Sequence, residues 1–362
     1  MNEDRASRYH RLKRRTSIAS LCWTLALLVV LLFSGGSVAI RNLAGQSAFA
    51  VVFYVVMVLL LNEIGSLPLG FYSGFLLERR YGLSHEPLGR WLLDQLKSFV
   101  IGFVLSSVAA AIVYAFIRMS PARWWLPSGA VFAVLIVGLT NVAPVLLLPL
   151  FYSVKPLERE ALHARLLRLA ERAGAKVLGA YEWGLGAKTR KANAALAGLG
   201  GTRRILVSDT MLAEYSDDEI EVVLAHELAH HVHGDIWKGI ALESGLILVG
   251  FYLAARLLAA FSPTFDLQSV ADIAGLPLLV LAAGAVSLVM VPFAHAMSRA
   301  FERSADRFAL TLTKNPGAFV SAMKRLAAQN LAEEHPSRLV QILFYSHPPV
   351  RERIAVAQAF RA

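Results

Sequence analysis

Charge is scarce in this chain: only 17% of its 362 residues are Asp, Glu, Lys or Arg, against about a quarter in soluble globular domains. With 56% hydrophobic residues, that deficit excludes an ordinary water-soluble domain and points to a membrane protein. Cysteine is nearly absent. The single Cys22 rules out an intrachain disulfide and any cysteine-based zinc finger. Acidic residues are also outnumbered, 26 against 36 Lys plus Arg, for a formal charge of +10. Such a balance can signal nucleic acid, but the basic residues here flank apolar runs and no aromatic-basic platform for bases accompanies them. The excess therefore reads as membrane orientation, with no nucleic-acid partner. A clear signal-peptide cleavage site is missing after the first apolar run, so that run reads as a retained span.

What is present is a set of six apolar stretches long enough to cross a bilayer, which takes roughly 20 helical residues. They run over about Ile18–Ile40, Ala48–Leu69, Phe99–Ile117, Leu126–Phe151, Ile236–Phe261 and Ile273–Ala294. Lys and Arg crowd the tail before Ile18, the loop around 73–97 and residues 152–235, while the alternate loops hold few. The positive-inside rule then places both termini and residues 152–235 in the cytoplasm. The chain divides accordingly into a membrane region with four spans (1–151), a first cytoplasmic part (152–235), a transmembrane hairpin (236–296) and a second cytoplasmic part (297–362). Within 152–235, Pro156–Arg172 reads as an amphipathic helix. Short extended runs follow near 177–185, 191–198 and 203–208. Ser216 and Glu219 read as the capping box of a further helix.

That helix carries His226-Glu227-Leu228-Ala229-His230. Four residues apart, the two imidazoles project from one helix face and can share a zinc ion, with Glu227 placed to take a proton from an attacking water. A catalytic zinc takes three protein ligands and keeps one position open. Read as part of one continuous helix, Glu243 lies roughly 20 Å beyond His230 and is too far. Glu302 follows the sixth span as His226 precedes the fifth, so a two-span hairpin returns it to the same membrane face. His226, His230 and Glu302 are therefore the expected ligands of one zinc per chain, and Glu227 the general base. Asp306, one turn after Glu302, is placed to accept the far N–H of a ligand histidine. His231 and His233 read as solvated or as supporting groups. Asn62, Glu63, Asn141 and Glu243 interrupt the spans and can either line a watery chamber or hydrogen-bond between helices.

His226-Glu227-Leu228-Ala229-His230 with Glu302-x-x-x-Asp306 resembles the CaaX prenyl protease 1 family of membrane zinc endopeptidases. Further segments are similar: Glu78-Arg79-Arg80-Tyr81-Gly82-Leu83-Ser84, Pro149-Leu150-Phe151 with Pro156-Leu157, Asn193-Ala194, Arg203-Arg204-Ile205 through Ser208-Asp209-Thr210, and Ser346-His347-Pro348-Pro349 with Glu352-Arg353. The resemblance implies a mainly α, integral-membrane fold. About six transmembrane helices would form a barrel around a chamber, beside a cytoplasmic zincin-like α+β catalytic part. It implies removal of the last three residues of prenylated CaaX proteins, so the expected partner is a peptide or protein substrate, possibly lipidated, met at the bilayer. It maps substrate contacts or transition-state contacts onto Asn193, His347 and Arg353. The run Asn193–Leu199 would hold a peptide as an added strand, His347 would donate to the oxyanion, and Arg353 would pair with a substrate carboxylate. Six spans rather than the seven of eukaryotic members, and no endoplasmic-reticulum retrieval signal, give the look of a bacterial inner-membrane member. Two other functions fit parts of the pattern: a quality-control protease for membrane proteins, and a transporter or channel with a structural zinc.

Overall fold

The computed structural model describes residues 4–47, 49–198 and 202–361. Six helices in it are long and apolar enough to cross a membrane, as expected, but several ends differ. Helix α1 (Arg5–Phe33) begins well before the apolar run and stops short of Ile40. Gly35 adopts φ +75°, a left-handed conformation open to glycine, and a separate α2 (Gly36–Ala44) follows. Hydropathy cannot see this break because apolar residues continue beyond it. Ala48, the expected start of the second span, lies outside the described residues; α3 (Ala50–Gly70) continues through a π-helical stretch at Phe71–Leu76 into α4 (Leu77–Arg80). The third span is α5 (Leu88–Met119). The fourth combines α6 (Trp125–Val142), a π stretch (Ala143–Leu147) and α7 (Leu148–Phe151).

The chain then leaves the bundle. Strand β1 (Val154–Pro156) takes Pro156, the expected first helical residue, residues 157–159 are irregular, and the amphipathic helix α8 spans only Glu160–Arg172. The three extended runs form β2 (Ala180–Trp183), β3 (Ala194–Ala197) and β4 (Arg204–Ser208). Leu199 lies outside the described residues. The sheet order is β1-β2-β4-β3, with β2 and β4 parallel and the outer pairs antiparallel. After the short α9 (Asp209–Glu214), α10 (Asp217–Val232) starts on the expected capping box: Ser216 accepts from the Glu219 amide while the Glu219 side chain accepts from the Ser216 amide.

Contrary to the sequence reading, α10 does not run on through Glu243. Gly234 at φ +68° ends it, and a separate α11 (Asp235–Phe261) follows. A 3-10 turn at Ile273–Gly275 leads into α12 (Leu276–Thr313), a single helix that contains the sixth span and continues past it to carry Glu302 and Asp306. The chain closes with α13 (Pro316–Gln329), α14 (Arg338–Phe344) and α15 (Val350–Ala359).

Two large cores and a small cluster of Tyr9, Leu77, Tyr81 and Leu83 hold this together. One lies among the spans and includes Tyr54, Tyr114, Ile117 and Leu258. The other joins α8, the sheet, α10, the end of α12, α13 and α15 around Leu166, Ile205, Leu224, Leu310 and Phe319. The two polar pieces separated by the hairpin thus fold as one body. Phe319 is fully buried there. Phe319→Ala is expected to lower the stability of this body by about 3–5 kcal/mol, read as a left-shifted denaturation midpoint with the span helices still formed.

Candidate active site

In α10, Val222, Val223, Leu224, Ala225, Leu228 and Ala229 are buried, which fixes the helix against the sheet and α12. The remaining face carries His226 and His230, whose rings stand 5.1 Å apart and nearly perpendicular. Both Nε2 atoms point at Glu302 on α12: His226 Nε2 is 3.2 Å from Oε2 and His230 Nε2 is 3.4 Å from Oε1. One donor atom from each of the three residues lies within 4.8 Å of the others. Glu302 is 5% exposed and its Oε2 has no hydrogen-bond partner among the described residues. A buried carboxylate oxygen left unmatched beside two imidazole nitrogens, in a set of two nitrogens and one oxygen, fits a zinc ion.

The opposite edges of both rings are held. His226 Nδ1 lies 2.9 Å from Asp306 Oδ1 and 3.2 Å from Arg353 Nη2, and His230 Nδ1 donates to Asp235 Oδ2 at 3.0 Å. With the ring proton on Nδ1, toward the carboxylate, each Nε2 lone pair faces Glu302, the tautomer a metal ligand needs. Asp235 was missed by the sequence reading. It is buried, its other oxygen accepts from Lys238 at 3.0 Å, and it reaches His230 only because Gly234 breaks the helix. Burial opposes charge on His226, yet the carboxylates of Asp306 and Glu302 outweigh it and push the imidazole up to about 9. A field that favours a proton so strongly also favours a divalent cation. Burial raises Glu227 above the usual carboxylate range, against the pull of His226 and His230.

His347 is exposed and its Nε2 comes within 3.3 Å of Glu302 Oε1, so the loop before α15 does reach the cluster. Arg353, expected to pair with a substrate carboxylate, lies beside the cluster, its Nη2 3.2 Å from His226 Nδ1. Its Nε lies 2.9 Å from Asp306 Oδ2 and its Nη2 2.6 Å from Oδ1, a two-pronged grip on the carboxylate behind His226. Asn193 is exposed at the start of β3, its backbone exchanging hydrogen bonds with Ser208. β3 is an edge strand. By antiparallel alternation, Ala194 and Leu196 turn their backbone groups away from β4, and the Leu196 carbonyl meets His231 Nε2 at 3.2 Å. His231 is therefore a tie between α10 and the edge strand. His233 contacts Ser304 Oγ at 3.3 Å and packs against the Phe308 ring. Asn62 serves helix packing, accepting from Thr24 Oγ1 at 2.9 Å, and it also lines a cavity of about 390 Å³ bounded by all six spans.

The bundle and the site at its edge define a membrane-embedded metallopeptidase. The chain belongs to peptidase family M48, which it matches over residues 156–361. Residues 2–153 match the CAAX prenyl protease N-terminal region, described as five membrane helices; four spans and the short α2 occupy it here. An uncharacterized metalloprotease of Bacillus subtilis, YhfN, is 31% identical over 92% of this chain and 80% of its own length. The probable CAAX prenyl protease 1 of Schizosaccharomyces pombe is 25% identical, covering 82% of this chain and 63% of its own. The crystal structure of S. mikatae Ste24p shares the fold at a TM-score of 0.88, with 23% identity over 98% of this chain and 88% of that one. The expected multi-pass membrane protease fold is thereby established.

Proposed function

We propose that the chain is a zinc-dependent endopeptidase that binds one zinc through His226, His230 and Glu302 and cleaves near the C-terminus of CaaX-type, prenylated substrates. The observation that carries this reading is the convergence of both histidine Nε2 atoms on Glu302, with each Nδ1 held by a buried carboxylate. Zinc, when bound, supplies a Lewis acid that polarises the scissile carbonyl and lowers the pKa of the attacking water. Glu227 takes the proton of that water and passes it to the leaving amine. His347 donates to the developing oxyanion. A substrate peptide adds to the free edge of β3 beside Asn193 and Ala194. Arg353 acts through Asp306, holding the carboxylate that orients His226.

Residues 152–235 and 297–362 form the catalytic part, divided by the hairpin at 236–296 and preceded by the membrane region 1–151. The Lys and Arg distribution supports a cytoplasmic placement of this part and both termini, and the 31% identity to the Bacillus subtilis metalloprotease supports a bacterial inner membrane. The substrate class is tested by offering a farnesylated CaaX peptide beside its unprenylated twin. Release of the terminal tripeptide from the farnesylated peptide in preference is expected. Equal cleavage of both contradicts the prenyl preference and favours a quality-control protease.

Asp235 has its own expected outcome. Asp235→Asn keeps the shape but loses the charge behind His230, and zinc affinity should fall by about 10–100-fold. Competition titration against a chelating indicator measures this independently of turnover. Unchanged affinity would remove Asp235 from the site.

A further inference from the structure

Among the described residues of 152–235 and 297–361, exposed large apolar side chains are few. Leu178, Val232 and Val356 stand apart, whereas Leu339 (66% exposed), Ile342 (37%), Leu343 (37%) and Phe344 (41%) all fall on the seven-residue α14. Leu339, Ile342 and Leu343 are spaced i, i+3, i+4, so they share one helix face. A clustered apolar face of this kind marks an interaction surface.

Two membrane helices fix its depth. Arg14, four residues before the apolar run that starts at Ile18, donates to Glu333 Oε2 at 2.6 Å, and the Tyr345 hydroxyl donates to the same oxygen at 2.5 Å. Arg299, five residues after the apolar run that ends at Ala294, donates to the carbonyls of Gln341 (3.0 Å) and Tyr345 (2.6 Å). At 1.5 Å per helical residue, the backbones of these anchors stand about 6 Å and about 7.5 Å beyond the apolar runs. The polar region flanking each side of the hydrocarbon core is roughly 5–8 Å deep. Both rulers, from helices at opposite ends of the sequence, therefore set α14 at headgroup level. Arg338, exposed at its first position, adds a charge suited to lipid phosphate.

We propose that α14 is an interfacial helix whose Leu339, Ile342, Leu343 and Phe344 insert into the bilayer surface on the side of the His226–His230–Glu302 cluster. The same segment carries His347, two residues after Tyr345, to within 3.3 Å of Glu302. Lipid contact at α14 thus bears on the placement of a residue at the cluster itself, and detergent that replaces lipid poorly should loosen it.

The test uses the full chain in lipid nanodiscs of neutral and anionic phospholipid, in a Cys22→Ser background. Nitroxide labels are placed at Leu339→Cys and Leu343→Cys, and at Val356→Cys on α15 as a water-facing control. All three side chains are exposed, so the cores stay intact. Collision with oxygen, which concentrates in lipid, is compared with collision with a water-soluble nickel chelate. The oxygen-to-nickel ratio should be severalfold higher at 339 and 343 than at 356. Ratios equal to that at 356 mean that water covers the helix and overturn the proposal. Exclusion of both reagents means that protein covers it, which overturns the proposal equally.

Discussion

Glu227→Gln should abolish peptide cleavage while the protein keeps its zinc. Glutamine preserves the shape of the side chain and removes its ability to take a proton. The two histidines and Glu302 are untouched, and Asp306 and Asp235 continue to hold the imidazoles, so the metal site survives. A positioned general base contributes about 10²–10⁴-fold to a rate, and in the proposed reaction Glu227 both accepts and returns the proton. Turnover should fall by at least that range at unchanged zinc content. Its carboxyl is raised by burial, which suits a group that must carry a proton for part of the cycle. Full activity in Glu227→Gln would remove the residue from the chemistry.

Glu302→Ala should have the opposite signature, loss of the metal itself. Two histidines remain in that variant, against the three protein ligands of a catalytic zinc. Removing the carboxylate also leaves both Nε2 atoms without the acidic partner they now face at 3.2 and 3.4 Å. Zinc stoichiometry after dialysis is expected to drop from one per chain to near zero, with cleavage lost in parallel. Fold should persist, because α12 is held independently by Ala305, Ala309 and Leu310 on its buried side. Retention of a full equivalent of zinc in Glu302→Ala would place the third ligand elsewhere.

The His226–His230 pair is local, and a helix projects such a pair to one side whatever surrounds it. Glu302 is distant in sequence, but two apolar runs between it and His230 force the chain across the membrane and back. Both facts follow from short-range rules and bilayer thickness. Asp235 was not legible in the same way. On an unbroken helix a residue five positions after His230 stands about 140° around the axis. Only the left-handed turn at Gly234 swings Asp235 back under His230 Nδ1. The Gly-Asp pair after the motif is the signal that was available. His231 and His233 were read as solvated or supporting groups because their partners, Leu196 and Ser304, belong to the edge strand and to α12. Arg353 illustrates the same limit: nothing local to it announces the pairing with Asp306, which tertiary packing brings about. The fold was legible in its six spans and blurred at their ends, where glycine conformation and helix continuation beyond the bilayer override hydropathy.

The central claim is that the cluster of His226, His230 and Glu302 is a working zinc centre for peptide hydrolysis. The measurement that addresses it most directly is zinc content with cleavage of a reporter peptide, made on one purified preparation in lipid. One zinc per chain is expected, with cleavage that disappears as a chelator strips the metal and returns as zinc is added back. A preparation that cleaves at full rate after its zinc has been removed would contradict the account.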